Sequence, residues 1–164
     1  MTRLCAADVL PIGAELSEYD NKLQKITGAN LLQIAASAAR IDLTMVKEPG
    51  KYKIAVIPVT CGQGIIQGFS HAVAEIVSYL GFSTFVTENT DVAGLAEALE
   101  KKADVLMLAD DNRFIAVNTL TRQVVDNSQA TGKGFVAALE FMAGGLENKE
   151  VLVLGAGPVG QSAI

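Results

Sequence analysis

The sequence predicts an α/β protein with N-terminal helices, a three-layer α/β domain around a mostly parallel sheet, and the beginning of a second α/β domain. Two observations predict this class. From Lys51 onward, apolar runs of strand length alternate with helix-like segments, which is the pattern of βαβ units. The first run, Ile54–Val59, is continuously apolar, as expected of a strand buried on both faces. Half of the 164 residues are hydrophobic, which is ample for a packed core.

The individual elements follow from the hydrophobic period and from the turn residues. We expect helices over 16–41 with a break near 27–30, from the glycine turn at 62–64 to residue 81, from residue 91 onward, and over 131–143. We expect strands at 54–59, 82–86, 104–109 and 150–154, and a short hairpin from 114–117 and 123–125. In the helix that Asp91 opens, the pattern predicts that Val92, Leu95, Ala96 and Leu99 face inward.

The composition excludes several functional classes. A net charge of −5, with 5% aromatic residues and no Trp, argues against a nucleic-acid surface, which needs a basic patch and stacking rings. Cys5 and Cys61 are too few for a disulfide framework and lack metal-ligand spacing. His71 is the only histidine, which excludes His-based metal sites and Ser-His triads within this chain, and we expect no metal. The pattern predicts neither a signal peptide nor a membrane span, so we expect a cytoplasmic protein.

The last predicted strand runs directly into the turn Gly155-Ala156-Gly157-Pro158-Val159-Gly160. A GxGxxG turn between a strand and a helix is typical of a Rossmann dinucleotide-binding domain. Its first glycine permits the tight turn, its second lets the backbone approach a pyrophosphate, and its third allows the helix to pack closely on the strand. The alternative is an ordinary glycine-rich turn. We favour a dinucleotide site whose contacts are these six residues.

This motif also places a domain boundary. Residues 1–146 are predicted to hold the N-terminal helices, the α/β substrate domain and a connector helix, and residues 147–164 to begin the Rossmann domain. The acidic residue that binds the ribose stands about 20 positions after the glycines, which would lie beyond Ile164. We therefore expect a truncated chain that is inactive by itself.

The loop Cys61-Gly62-Gln63-Gly64-Ile65-Ile66 follows the first predicted strand at its carboxyl end, where open α/β sheets bind ligands. Free amides at the start of the next helix suit a carboxylate. The alternatives are a plain turn and, least favoured, a catalytic Cys61 thiolate, for which no base lies nearby in sequence. We predict ligand contacts from this loop.

A second candidate group, Asp110-Asp111-Asn112, follows the third predicted strand. Either carboxylate could hold a substrate ammonium, and the alternative is an aspartate that caps local amides. A magnesium-binding receiver domain is disfavoured, because the second acid cluster and the late lysine are absent. Asn127 precedes the connector helix, where it either faces the same cleft or serves as a turn residue or N-cap.

With these residues in view, the chain resembles the pyrrolysine synthase family, PylD. The resemblance lies in stretches whose order and spacing agree along essentially the whole chain: residues 56–66, 81–94, 106–114, 126–132 and 150–160. It implies an NAD-dependent enzyme of pyrrolysine biosynthesis. The implied reaction oxidises lysine-Nε-3-methylornithine at the ornithine terminal amine, releases ammonia and closes the pyrroline ring.

The resemblance also implies roles for individual residues. Asp110 would hold or deprotonate an amine of the ornithine part, and Asn127 would form a hydrogen bond with the ligand. Cys61, Gln63 and Ile66 would line the pocket, and Leu4 would cover it. Archaeal members of the family tend to have serine at the position of Cys61 and asparagine at that of Gln63.

Two other functions stay open at this point. One is the substrate domain of another NAD(P)-dependent dehydrogenase, acting on an amino acid or a folate. The other is a non-catalytic, flavodoxin-like binding module. The expected partner is a small-molecule substrate, with no nucleic acid and no membrane, and a homodimer is a possible assembly.

Overall fold

The computed structural model describes residues 4–45 and 48–164, which form two compact units. The first unit comprises the described residues of Met1–Leu16 together with Glu48–Asp126, and the second comprises those of Ser17–Lys47 together with Asn127–Ile164. The boundary predicted between residues 146 and 147 rests on the glycine motif and stays a prediction.

In the described residues, helices and strands alternate between Lys53 and Ala109, with helices alone before this region and a hairpin and two helices after it. The α-helices are α1 Ala6–Val9, α2 Ile12–Thr27, α3 Leu31–Ala38, α4 Phe69–Tyr79, α5 Asp91–Glu100, α6 Asn127–Ala143 and α7 Pro158–Ser162. Short 3-10 helices lie at Leu43–Met45, Pro49–Lys51 and Gly62–Ile65. The strands are β1 Lys53–Val56, β2 Ser83–Val86, β3 Val105–Ala109, β4 Phe114–Asn118 and β5 Val124–Asp126.

The five strands form one sheet in the order β2-β1-β3-β4-β5. Strand β1 pairs in parallel with β2 and with β3, whereas β3 pairs antiparallel with β4, and β4 with β5. The carboxyl ends of β1, β2 and β3 therefore lie at one edge of the sheet, together with the start of β4 and the end of β5. The sheet is mixed, because β1, β2 and β3 run parallel to one another and the hairpin of β4 and β5 adds the antiparallel pairs.

Helices cover both faces of this sheet, as the three-layer prediction requires. On one face, Val56 packs with Phe69, Val73 and other residues of α4, and Val9 of α1 joins them. On the other face, Ala55 and Ile57 pack with Ala98 of α5, Ala103 and Leu106. Successive residues of β1 alternate between the two clusters because strand side chains point to opposite faces in turn.

The second unit contains α2 from Ser17 onward, α3 and the long helix α6. Asn30 caps α3 by accepting a hydrogen bond from Gln33 N, and the Gln33 side chain accepts one from Asn30 N in return. Buried Ala29, Ile34 and Ala137 form the core of this unit. The predicted break near residues 27–30 is confirmed, since α2 ends at Thr27 and α3 begins at Leu31.

The predicted strands β1, β2 and β3 and the predicted hairpin of β4 and β5 are confirmed, but two details of the prediction are wrong. In α5, Val92 is 80% exposed and Leu99 is 51% exposed, whereas Gly94 and Ala98 are buried. The helix lies on the sheet through its small residues, so its large aliphatic residues face outward. The predicted strand at 150–154 is not a hydrogen-bonded strand, because no other described strand lies beside it.

None of the described helices has the length and apolar character needed to cross a bilayer.

The cluster beneath α5 makes a testable prediction about stability. Ile57 is 2% exposed, so Ile57→Ala removes buried methyl groups and leaves a cavity beside Ala98 and Leu106. We expect the free energy of unfolding to fall by about 2–5 kcal/mol, measured by urea denaturation. The matched control is Ile65→Ala in the same unit, where the side chain is 64% exposed and the expected change is within about 0.5 kcal/mol. Equal effects of the two variants would contradict this packing.

Candidate functional site at the carboxyl edge of the sheet

Three connections meet at the carboxyl edge of the parallel strands. They are the loop from Ile57 to Gly62 after β1, the turn from Thr87 to Thr90 after β2, and the turn from Asp110 to Arg113 between β3 and β4. Parallel pairing puts these three connections at one edge of the sheet, which is where ligands bind in open α/β sheets. Both sequence-predicted groups of the first unit are therefore on this edge.

Gly62 joins the two predicted groups by direct packing. Its backbone is left-handed, with φ of 58°, and the residue is buried. A β-carbon at this position would lie 2.7 Å from the carbonyl carbon of Asp110 and 2.8 Å from Cγ of Asp111. Only glycine satisfies both the conformation and the close approach. The backbone of the Cys61 loop thus lies against the Asp110–Asp111 peptide.

The Asp110 carboxylate organises the turn that carries it. Its Oδ1 accepts hydrogen bonds from Asn112 N and Arg113 N, both at 2.7 Å, while Asp110 N donates to Arg113 O at 2.9 Å. These amides, Arg113 N first and Asn112 N second, lower the pKa of Asp110 below its usual value. The local capping that the sequence suggested as an alternative is therefore present, and it stabilises the ionised form of the carboxyl group.

Arg113 lies beside this turn and was not identified from the sequence. Its Nε is 3.0 Å from Oδ2 of Asp126, so the ion pair connects the start of β4 with the end of β5. The predicted hairpin was the available signal, because it brings residues 113 and 126 to the same end of adjacent strands. The Arg113 charge also contributes, as a smaller cause, to the lowered pKa of Asp110.

Two more carboxylates hold the connections after β1 and β2, and sequence reasoning missed both roles. Asp91 Oδ1 accepts from Thr60 N at 2.9 Å, and Oδ2 accepts from the Thr60 hydroxyl at 2.6 Å. The hydroxyl bond first, and the amide bond second, lower the pKa of Asp91. The sequence predicts Asp91 only as the N-cap of its helix, a position that Thr90 holds in the structure. That local pattern does not show a bond to a residue 31 positions away.

Glu97 is a buried carboxylate with a full set of donors. It accepts hydrogen bonds from Glu88 N, Asn89 N, the Asn89 side-chain amide and Lys101 Nζ. The Lys101 ammonium, followed by the backbone amides of the turn, lowers the pKa of Glu97 to about 2. Glu97 therefore ties the turn after β2 to its own helix.

The remaining residues predicted for the first unit differ in their surroundings. Ile66 is partly buried and packs against the α4-side core, which agrees with an apolar wall. Cys61 is an exposed free thiol, and Leu4 is 48% exposed. The side chain of Gln63 lies outside the described residues, so its predicted contact is untested.

Asn127 and the glycine turn belong to the second unit, so a contact of Asn127 with the ligand stays a prediction. In the turn, Gly157 precedes α7 and a β-carbon there would meet nothing within 4 Å, which leaves its backbone open to a ligand. At Gly160 a β-carbon would lie 3.0 Å from the carbonyl carbon of Gly155, so the third glycine is needed for close packing. Both observations fit the requirements of a dinucleotide pyrophosphate.

Within the described residues, no group of three or more His, Cys, Asp or Glu side chains is placed to hold a metal ion.

These features define an α/β domain with an anionic, glycine-lined edge, followed in sequence by a dinucleotide-type turn. Residues 8–125 match the family model described as pyrrolysine biosynthesis protein PylD, N-terminal domain. The chain is 32% identical over 162 residues to a pyrrolysine synthase of Methanosarcina barkeri, covering 98% of this chain and 58% of that protein. It is 32% identical over 161 residues to a pyrrolysine synthase of Methanosarcina acetivorans, covering 98% and 59%.

The chain belongs to the PylD family, and the resemblance noted from its motifs is confirmed. It spans just under three-fifths of the length of these two relatives.

Packing at Gly62 leads to a prediction with a built-in control. Gly62→Ala introduces both a left-handed alanine and a clash with the Asp110–Asp111 peptide, whereas Gly144→Ala, at φ of 63° with nothing within 4 Å, introduces only the first. We expect Gly144→Ala to lower the free energy of unfolding by about 1–2 kcal/mol and Gly62→Ala by about 2–5 kcal/mol. Urea denaturation measures both. A Gly62→Ala effect no larger than that of Gly144→Ala would refute the close contact.

The lowered pKa of Glu97 predicts that the stability of the protein depends on pH. Its pKa is about 2 in the folded protein, against about 4.3 in an unfolded chain. The stabilisation is therefore complete above pH of about 4.3 and is lost as the pH falls through about 2. We expect Glu97→Gln to be less stable at neutral pH and to show a shallower decline of unfolding free energy in that acid range. Denaturation at a series of pH values tests this, with exposed Glu100→Gln as control; parallel curves for wild type and Glu97→Gln would show that the carboxylate contributes nothing.

Proposed function

We propose that this chain is the substrate-binding part of an NAD-dependent enzyme of pyrrolysine biosynthesis. The proposed reaction oxidises lysine-Nε-3-methylornithine at the ornithine terminal amine and then cyclises the product. Membership of the PylD family and the name of both relatives, pyrrolysine synthase, support the pathway. The observation that carries the chemistry is Asp110, an ionised carboxylate on a sheet edge where Gly62 packs against its peptide.

The charge of the site suits the proposed substrate. An alkyl amine has a pKa near that of lysine, about 10.4, so it is an ammonium at neutral pH. Asp110 uses Oδ1 on the backbone amides of its own turn, and its negative charge can hold the ammonium of the ornithine part. Because those amides lower the pKa of Asp110, the carboxylate is a weak base. Between holding and deprotonating the amine, the structure favours holding.

The reaction balances with one oxidant and no metal. The carbon bearing the terminal amine gives up a hydride, and the amine gives up a proton, which leaves an imine. Water hydrolyses the imine to an aldehyde and releases ammonia. The ornithine α-amine then condenses with the aldehyde, and the loss of water closes the pyrroline ring. NAD, when bound, supplies the hydride acceptor.

The residues proposed to hold the cofactor lie in one turn of the second unit. They are Gly155, Ala156, Gly157, Pro158, Val159 and Gly160. The open backbone at Gly157 and the close packing at Gly160 support this assignment. The proposed contacts of Leu4, Cys61, Gln63, Ile66 and Asn127 with the substrate, the cytoplasmic location and a homodimeric assembly are further parts of the proposal.

The test uses the full-length protein with the isopeptide and NAD, and follows NADH by absorbance. Asp110→Asn keeps an oxygen that accepts from the turn amides but removes the charge, so the turn can persist while ammonium binding fails. We expect kcat/KM to fall by about 100-fold, as for loss of one partner of a charged hydrogen bond. The control, Asp111→Asn on the same turn, should stay within about threefold of wild type.

The outcomes separate the alternatives. NADH from a simple amino acid but not from the isopeptide would assign the protein to another dehydrogenase class. Absence of NAD binding in titration calorimetry would instead favour a non-catalytic binding module. An Asp110→Asn variant as active as wild type would remove Asp110 from the proposed site.

A further inference from the structure

We infer that Asp91 is a positioning residue, which fixes the Thr60–Gly62 loop against Asp110 and thereby sets the geometry of the substrate pocket. This inference rests on the proposed function for the identity of the substrate. It adds a residue at the start of α5, next to the connection after β2, rather than on the loops that would touch the ligand.

Asp91 directs its polar groups to the loop after β1. Both carboxylate oxygens accept hydrogen bonds from Thr60, one from the amide and one from the hydroxyl. Asp91 N donates to Pro58 O at 3.0 Å. An aspartate at the start of a helix ordinarily caps the amides of its own first turn. Here both carboxylate oxygens and the amide bond to the loop that leads from β1 to the site, and the Thr90 side chain is a lesser hydrogen-bond partner of the carboxylate.

The backbone of Asp91 indicates that this arrangement is imposed by its surroundings. Its φ is 52°, in the left-handed region that non-glycine residues rarely occupy. Such a conformation persists only where neighbouring contacts over-determine it. The three bonds to Pro58 and Thr60 supply those contacts.

Asp91 follows a turn that is itself held in place by hydrogen bonds. Glu97 holds the amides of Glu88 and Asn89, and the Thr87 hydroxyl donates to Asn89 O at 2.8 Å. Thr87 N donates to Val56 O at the end of β1. The turn after β2 is thus attached to both α5 and strand β1, so a bond from Asp91 can hold Thr60 at a defined place.

Thr60 is close in the chain to the residue that packs against Asp110. Gly62 is two residues further along the chain, and its backbone has no room to move closer to the Asp110–Asp111 peptide. Cys61 lies between the two fixed points and is exposed at the edge. Without the Asp91 bonds, one end of this short loop loses its attachment while the other stays packed. The distance between the Cys61 loop and Asp110 then becomes variable.

The experiment uses the full-length protein with the isopeptide and NAD. Asp91→Gly removes the carboxylate but readily keeps the left-handed backbone. We expect KM for the isopeptide to rise about tenfold, with kcat within about threefold and KM for NAD unchanged, because misplacement of a binding loop affects the ligand it contacts. Asp91→Asn retains an acceptor for Thr60 N and should restore KM to within about threefold of wild type.

Two further variants separate positioning from general stability. Asp104→Gly is the matched control, since Asp104 Oδ2 accepts from Lys53 N at 2.8 Å at the opposite end of β1. It should lower the unfolding midpoint without changing KM. Thr60→Val removes the hydroxyl, and in combination with Asp91→Gly it should raise KM no further than Asp91→Gly alone. A KM change in Asp104→Gly equal to that in Asp91→Gly, or additive effects of Thr60→Val and Asp91→Gly, would overturn the inference.

A readout independent of turnover keeps this inference distinct from the proposed function. In a Cys5→Ser background, mass spectrometry of the Cys61 peptide follows its modification by iodoacetamide, and the rate reports how the loop is held. We expect Asp91→Gly to change this rate by threefold or more and Asp91→Asn to bring it back toward wild type. If wild type fails to oxidise the isopeptide, the proposed function fails, and the alkylation rates still decide the role of Asp91. An unchanged rate in Asp91→Gly would sink the inference even if the isopeptide is the substrate.

Discussion

The close approach of Gly62 to the Asp110–Asp111 peptide is the contact on which the candidate site depends. It makes two connections, separated by nearly fifty residues of chain, into one surface. Because a β-carbon would lie 2.7 Å from the Asp110 carbonyl carbon, the two loops cannot separate or slide without changing this packing. The left-handed backbone of Gly62 and the tight turn at Asp110 are therefore parts of a single arrangement.

Hydrogen bonds from backbone amides and from the Thr60 hydroxyl determine the electrostatics of the sheet edge. Asp110 accepts from the amides of Asn112 and Arg113, and Asp91 accepts from the amide and hydroxyl of Thr60. In both cases the hydrogen bonds lower the pKa of the carboxyl group and stabilise its ionised form. The Arg113 guanidinium is meanwhile engaged by Asp126. An edge of this kind suits a cationic ligand and gives its carboxylates little tendency to take up protons.

The close packing of α5 on the sheet explains both its exposed aliphatic side chains and its hydrogen bonds to the turn after β2. Gly94 and Ala98 let the helix lie close to the sheet, where Glu97 reaches the amides of Glu88 and Asn89. The apolar period of α5 would have placed Val92 and Leu99 inward, and by itself it was misleading. A hydrophobic stripe shows that a helix has an apolar side, but not whether close approach through small residues offers a better contact.

The sequence by itself determined the α/β class, the parallel strands β1, β2 and β3, the hairpin, and the family, because strand length, period and motif order are local properties of the chain. It also predicted that Gly62 and Asp110 lie at one edge of the sheet, since both follow parallel strands. Only the tertiary structure decided that Asp91 bonds to Thr60, that Arg113 pairs with Asp126, and that Glu97 is a buried anchor. Those bonds join residues from different parts of the chain, and their distances depend on how the sheet brings these parts together. No local pattern encodes that distance, so the positioning of the site became visible only in the folded chain.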